Sequence, residues 1–398
     1  MSDTTTQPYV NLLDPEFYVD PYPAYRWLRD TSPVHWDPVQ RIWGVSRHAD
    51  VLAVEKATQR YSSLDGSRPH SNQRDDQSMI NQDDPVHQSQ RMVVARRFTP
   101  RAVRDHEAHV RALVTTMIDD VIDDGGCEVV DAMASRLPAM VIGEMLGYAP
   151  EQWPLVRKWS EETMLQAGQT RADGVVEAQA EQMSATIMEF SMTTMEVIAA
   201  RRADPQDDLI SVWCHTEEGG EPWSDAKVLQ ETILLLDGGA ETTRTVIGAI
   251  IRELALRPDQ RRLLAADRGL LQTTAVEEFI RFVTPILNMR RTVTEDHELH
   301  GQQLHAGDEL LLMYASANRD DRVFERPEEL DVTRQHNHHV AFGFGTHFCL
   351  GASLARLELR VLFDELLRRI PDWELTGPAP KVLPATFTRG YDQVTISW

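Results

Sequence analysis

The chain has 398 residues, 42% of them hydrophobic and 26% charged, which gives an ordinary globular protein enough apolar material for a sizeable core. A formal net charge of -22 argues against nucleic acid and against anionic membrane surfaces as partners. Cys127, Cys214 and Cys349 are far apart and odd in number, so they form neither a paired framework nor a metal-ligand cluster, which fits a reducing cytosol.

Residues 1–20 hold no basic n-region, apolar h-region or long hydrophobic span, so a soluble, cytoplasmic chain without a membrane span is expected. Residues 14–30, with Pro21-Tyr22-Pro23, read as a turn entering a short helix. Val34-His35-Trp36 and Ile42-Trp43-Gly44-Val45 predict a hairpin, and 49–57 a helix. The Ser-, Asn-, Gln- and Asp-rich stretch 62–86 predicts an irregular loop. Helices are expected near 87–97, 101–124, 139–146, 151–166, 174–203, 207–217 and 224–256. Short strands follow Pro285 at 289–294, 298–300 and 309–314, then a last large helix at 351–369 and an exposed-edged strand at 391–398. No repeat, low-complexity tract or Gly/Ser linker divides the chain, and a mainly α fold with a small β portion is expected, as a single domain over 1–398.

The segment Phe342-Gly343-Phe344-Gly345-Thr346-His347-Phe348-Cys349-Leu350-Gly351 is the most informative one. Its glycines let the backbone approach a flat cofactor and aim N–H groups at the sulfur. The helix that follows adds its positive end, so the position favours a thiolate. A lone cysteine in a tight turn is otherwise a buried structural residue. A thiolate held in this way suits an axial iron ligand.

A second constellation, Asp237-Gly238-Gly239-Ala240-Glu241-Thr242-Thr243-Arg244, interrupts an apolar helical stretch. Two interior glycines cost about 1 kcal/mol each relative to alanine, so they need a reason. One is a helix end with the glycines as a cap. The other is a distorted helix that makes room for a ligand, with Thr242 bonding into the backbone ladder.

The glycine-punctuated cysteine loop resembles the haem-binding loop of the cytochrome P450 family of haem-thiolate monooxygenases, and the likeness extends over nearly the whole chain. It implies the family's helical fold with small β-sheets and haem b (iron protoporphyrin IX) ligated by Cys349, with Phe342, Gly343, His347 and Gly351 in the loop around it. It implies that Glu241 and Thr242 form the acid–threonine pair that supplies protons for dioxygen activation, with Glu where many relatives carry Asp. Gly238 and Gly239 would let the helix pass over the iron, with Ala240 at its approach.

His87 and Arg91 follow Asp83-Asp84-Pro85 on one helix face, where they suit an anion. By resemblance they contact the haem propionates together with His347 and Arg291; Arg290 stays open as the alternative partner. Glu278 and Arg281 share a helix face, and by resemblance Arg334 joins them in a buried network behind the haem loop. His336, His338 and His339 lack an acid or thiolate at ligand spacing and read as a polar loop. The methionines at 183, 188, 192 and 195 read as core or pocket lining.

The expected reaction inserts one oxygen atom from O2 into a C–H bond of a hydrophobic small molecule. No dinucleotide-binding fingerprint is evident, so electrons come from an external ferredoxin and ferredoxin reductase. Arg96, Arg97, Arg101 and Arg104 form either a docking patch or a solvated helix face. Branch-level likeness to actinobacterial steroid and lipid hydroxylases points to a steroid or branched lipid with a polar group far from the oxidised carbon. Ile286, Leu287, Met289, Met164 and Phe387 are expected to line an apolar channel, with Arg389 or the 66–82 loop at its mouth. The alternatives are a polyketide-like or other secondary metabolite, peroxide-driven or rearrangement chemistry on the same haem, and a non-catalytic haem-binding or gas-sensing module.

Overall fold

A computed structural model describes residues 8–70, 74–167 and 177–398. The expected start of the 174–203 helix and residues 71–73 of the expected loop lie outside the described residues.

The N-terminal part holds α1 (Tyr22–Thr31), β1 (Val34–Asp37), β2 (Ile42–Val45), α2 (His48–Lys56) and β3 (Tyr61–Ser62). The helical body follows with α3 (Val86–Ala95), α4 (Pro100–Asp105), α5 (Glu107–Asp119), β4 (Gly126–Glu128), α6 (Arg136–Leu146), α7 (Trp153–Ala167), α8 (Glu177–Ala203) and α9 (Leu209–Cys214). A small hairpin, β5 (Glu217–Glu218) and β6 (Glu221–Pro222), leads into α10 (Asp225–Leu256), α11 (Pro258–Ala266), α12 (Leu270–Thr273) and α13 (Ala275–Val283). The remainder is β7 (Met289–Val293), β8 (His297–Leu299), β9 (Gln302–Leu304), β10 (Glu309–Leu312), α14 (Tyr314–Ala317), α15 (Ala352–Arg369), β11 (Glu374–Leu375) and β12 (Thr395–Ser397).

The order β1-β2-β10-β7-β3 makes a five-stranded sheet in which β10 pairs parallel with β2 and antiparallel with β7. The expected helix at 101–124 is two helices, because the chain turns at His106 between α4 and α5. The C-terminal strand is a correction. Thr395–Ser397 is the central strand of the three-stranded order β11-β12-β4, paired on both sides rather than exposed at an edge. Neither partner neighbours it in sequence, and local pattern carries no record of such pairing.

Helix α10 is continuous over 32 residues and does not end at its glycines. Ser224 caps it by accepting from the Lys227 N–H, and its buried face includes Val246, Ile247, Ile250, Ile251 and Leu254. The two glycines serve different neighbours. A Cβ at Gly239 would lie 2.8 Å from Ile142 Cγ1 on α6, so that glycine permits close helix packing. A Cβ at Gly238 would meet nothing within 4 Å.

Glu278 and Arg281 on α13 are fully buried, with Arg281 Nη2 donating to Glu278 Oε1 at 2.8 Å. Arg334 Nε and Asn337 Nδ2 each donate to Glu278 Oε2 at 3.0 Å, and the Asp331 N–H donates to Oε1 at 2.9 Å. Arg281 Nη1 also donates to the Asn318 carbonyl, and the Asn318 side chain accepts from the Val340 N–H at 2.8 Å. The network therefore fixes the chain just ahead of Phe342. Paired and hydrogen-bonded in this way, its buried charges are compensated.

Candidate active site

A cavity of about 520 Å³ lies between α10 and the cysteine loop. Phe342, Gly343, His347, Cys349 and Gly351 line one wall, and Gly238, Gly239, Thr242 and Thr243 line another. The loop is shaped by Gly343 (φ +66°) and Gly345 (φ +70°), both in the left-handed region that favours glycine. At Gly345 a Cβ would also press to 3.0 Å from the Glu55 carbonyl oxygen. The Cys349 N–H donates to the Phe342 carbonyl at 2.9 Å and closes the turn.

Burial raises the Cys349 thiol pKa; the N–H groups of Gly351 and Ala352 and the cations Arg91 and Arg356 pull the other way without overcoming it. The loop and helix end thus work toward the thiolate against burial, and the charge of a coordinated cation would add to them.

Four cationic or imidazole groups gather on the cavity wall. His87 and His347 pack against each other with ring centroids 4.1 Å apart and planes tilted by 39°, and Arg91 and Arg291 line the same space. Asp84 holds His87 Nδ1 at 3.1 Å, Arg91 donates to the Phe348 carbonyl at 2.6 Å, and Arg291 donates to Glu55 at 3.0 Å. Burial, then Arg291, His87 and Arg91, push the His347 pKa down to about 2. A site this hostile to one more positive charge is suited to anionic groups. Strand alternation sends the two adjacent arginines to different surroundings. Arg291 faces the cavity, whereas Arg290 turns to Glu309 at 3.3 Å and the Asp65 carbonyl at 2.9 Å.

On α10, Thr242 Oγ1 donates to the Gly238 carbonyl at 2.9 Å, which leaves its lone pairs toward the cavity. Glu241 does not line the cavity. It is 2% exposed and ion-paired with Arg244, and its Oε2 has no hydrogen-bond partner among the described residues. Burial, opposed by Arg244, pushes its pKa up to about 7. Ala240 is likewise turned into the hydrophobic core, so the helix meets the cavity through Gly238 and Gly239 instead.

Met164, Ile286, Met289 and Phe387 line the cavity as expected, but Leu287 does not. It is buried with Leu12 and Phe17, because neighbouring residues of an extended segment face opposite ways. Arg389 is not at the mouth either; it donates to the Tyr22 hydroxyl at 3.2 Å and the Val19 carbonyl at 3.3 Å. Sequence reading missed Arg68, Thr163 and Asp237, three polar residues of this wall. An acid just ahead of two glycines in an apolar helix was the available signal for Asp237.

Residues 163–375 match the family model for cytochrome P450. A steroid C26-monooxygenase of Mycobacterium tuberculosis is 40% identical, with 98% of each chain covered. Cytochrome P450-terp of Pseudomonas is 30% identical, covering 96% of this chain and 95% of that one. The chain belongs to the cytochrome P450 family. Among solved structures, a Mycobacterium marinum cytochrome P450 in complex with pseudoionone superposes with a TM-score of 0.90 at 30% identity, covering all of both chains. CYP109E1 from Bacillus megaterium in complex with testosterone gives 0.86 at 30% identity, covering 96% and 99%.

Membership makes this P450 a monooxygenase with a haem-thiolate cofactor, O2, redox partners and a hydrophobic substrate. The cavity fits that cofactor: a sulfur on one side, open space at Gly238 and Gly351, and a cationic end for carboxylates. No helix among the described residues is long and apolar enough to cross a membrane.

Proposed function

We propose that this P450, acting as one domain over 1–398, hydroxylates a steroid or related branched lipid with O2 and two electrons from a ferredoxin and its reductase in the cytoplasm. The observation that carries the reading is Cys349 and Thr242 lining one cavity from opposite elements, with a cationic group at its edge. Steroid chemistry rests on the relative named a steroid C26-monooxygenase and on the neighbour bound to testosterone.

Haem b, when bound in this cavity, would supply the iron chemistry for oxygen insertion. Cys349 would give its sulfur as the protein ligand, and Arg91, Arg291, His87 and His347 would hold the two propionates by charge-assisted hydrogen bonds. Phe342, Gly343 and Gly351 shape the loop side, and Gly238 and Gly239 leave room on the helix side. With its own proton on the Gly238 carbonyl, Thr242 accepts a hydrogen bond on the cavity side and orients water there. Glu241, with a pKa of about 7, is poised to release and regain a proton near neutrality. Arg244 holds it off the cavity, so delivery requires Glu241 to leave that ion pair. The exposed Arg96, Arg101 and Arg104 on and beside α4 form the docking patch for an acidic ferredoxin, whereas Arg97 is engaged by Asp207 at 2.6 Å.

The test is spectroscopic and chemical. The reduced carbonyl complex is expected to show the long-wavelength Soret band, lost in Cys349→Ala, and steroids are expected to drive a low-spin to high-spin shift. Turnover with a ferredoxin system should then yield a hydroxylated steroid. A retained band in Cys349→Ala overturns the ligand; a shift with aromatic or polyketide-like compounds but no steroid overturns the substrate class alone.

A further inference from the structure

Away from its cationic end the cavity wall is mainly apolar, yet it carries a second polar patch. Arg68 comes from the segment after β3, Thr163 from α7 and Asp237 from α10, and the three meet at the cavity. Asp237 is 9% exposed, and Thr163 Oγ1 lies 2.6 Å from its Oδ1. The same hydroxyl lies 2.7 Å from the Trp159 carbonyl. A hydroxyl has one proton, and a carbonyl only accepts. Thr163 therefore shares its one proton between Asp237 Oδ1 and the Trp159 carbonyl, and Asp237 Oδ2 remains as an acceptor facing the cavity. Burial, opposed by Arg68 and Thr163, pushes the Asp237 pKa up to about 6.

Across from this pair, the guanidinium of Arg68 lies 5.0 Å from the Phe387 ring centroid and 3.7 Å from the Met164 sulfur. It stops 3.9 Å from Asp237 Oδ2, near enough to attract but beyond hydrogen-bond length. That gap opens on the cavity. A direct latch between loop and helix would have closed it.

We propose that Arg68 and Asp237 form a recognition subsite for an alcohol on an otherwise apolar substrate, the oxygen accepting from Arg68 and its proton going to Asp237 Oδ2. Among oxygen functions, a carboxylate would set its charge against Asp237, and a ketone leaves Oδ2 without a donor. A hydrocarbon dehydrates Asp237 Oδ2 and brings it no donor, the most costly case. The position adds a ruler. Asp237 precedes Thr242 by five residues, about 7.5 Å along a helix axis. The recognised oxygen therefore sits near the reacting end of the substrate rather than at its far end, contrary to the expectation drawn from sequence.

This inference deepens the proposed function but rests only on its monooxygenase cavity, so the test carries two ligand arms. One pairs a steroid hydroxylated on its side chain with the same steroid lacking that hydroxyl. The other pairs a monoterpene alcohol with its parent hydrocarbon. Dissociation constants are read from substrate-induced spin-state titrations of wild type, Arg68→Leu and Asp237→Leu, each first shown to give an unaltered reduced carbonyl spectrum. Wild type is expected to prefer the alcohol at least about tenfold in the arm that binds, and the preference to fall below about threefold in both variants. Binding in the terpene arm alone, with that pattern, rejects the steroid reading and supports the subsite. No alcohol preference in either arm, or a preference that survives both substitutions, overturns the subsite.

Discussion

Exchanging each glycine of the Gly238-Gly239 pair for alanine is expected to move stability in opposite directions. In a helix interior, alanine is favoured over glycine by about 1 kcal/mol because the unfolded chain loses backbone freedom. At Gly238 nothing lies within 4 Å of the new methyl, so Gly238→Ala is expected to stabilise by about that amount. At Gly239 the methyl would lie 2.8 Å from Ile142 Cγ1 and 3.1 Å from its Cβ. Those atoms belong to a β-branched side chain on a packed helix and cannot swing aside, so overpacking costs about 1–3 kcal/mol. The helix gain offsets part of it, and Gly239→Ala is expected to end about 0–2 kcal/mol less stable than wild type. Equilibrium urea unfolding at matched haem occupancy, followed by fluorescence of the nine tryptophans, measures both. Substrate titration supplies a second readout, because the Gly238 methyl enters the cavity and should weaken binding of bulky ligands. A Gly239→Ala variant as stable as Gly238→Ala would refute the assignment of these glycines to different neighbours.

Thr242→Ala removes an acceptor in the cavity while leaving the α10 backbone bonds intact, so haem and substrate binding should persist while electrons are diverted to hydrogen peroxide; an unchanged product yield per electron counts against the role. Glu278→Gln leaves Arg281 and Arg334 buried without their counter-charge and is expected to cost about 3–5 kcal/mol in urea unfolding, with a loss under about 1 kcal/mol counting against the network. Glu231 on α10 is buried, accepts from the Met79 N–H at 3.0 Å, and has its pKa pushed up by burial to about 8. Its folded pKa lies above the unfolded one, so its contribution is full below about pH 4.5 and is lost as pH rises through about 8. Glu231→Gln should flatten that decline and be the more stable protein at pH 9; parallel pH profiles would show that Glu231 does not titrate there.

The sequence by itself determined what is local. The cysteine loop, the glycine pair in an apolar helix and the His87–Arg91 spacing each lie within one short segment, because a turn or a helix face is set by residues a few positions apart. The shared face of Glu278 and Arg281 was legible for the same reason, but the burial of the pair and its link to Arg334 only through resemblance to a family. Tertiary structure decided what depends on distant neighbours. Strand alternation put Arg291 rather than Arg290 on the cavity and turned Leu287 away from it. The approach of α6 separated the duties of Gly238 and Gly239, and β4 and β11 enclosed β12 from both sides. Arg68, Thr163 and Asp237 stand 95 and 74 positions apart along the chain and share a cavity only after folding. A polar residue's meaning depends on the groups that replace its water, and no sequence spacing records which groups those will be.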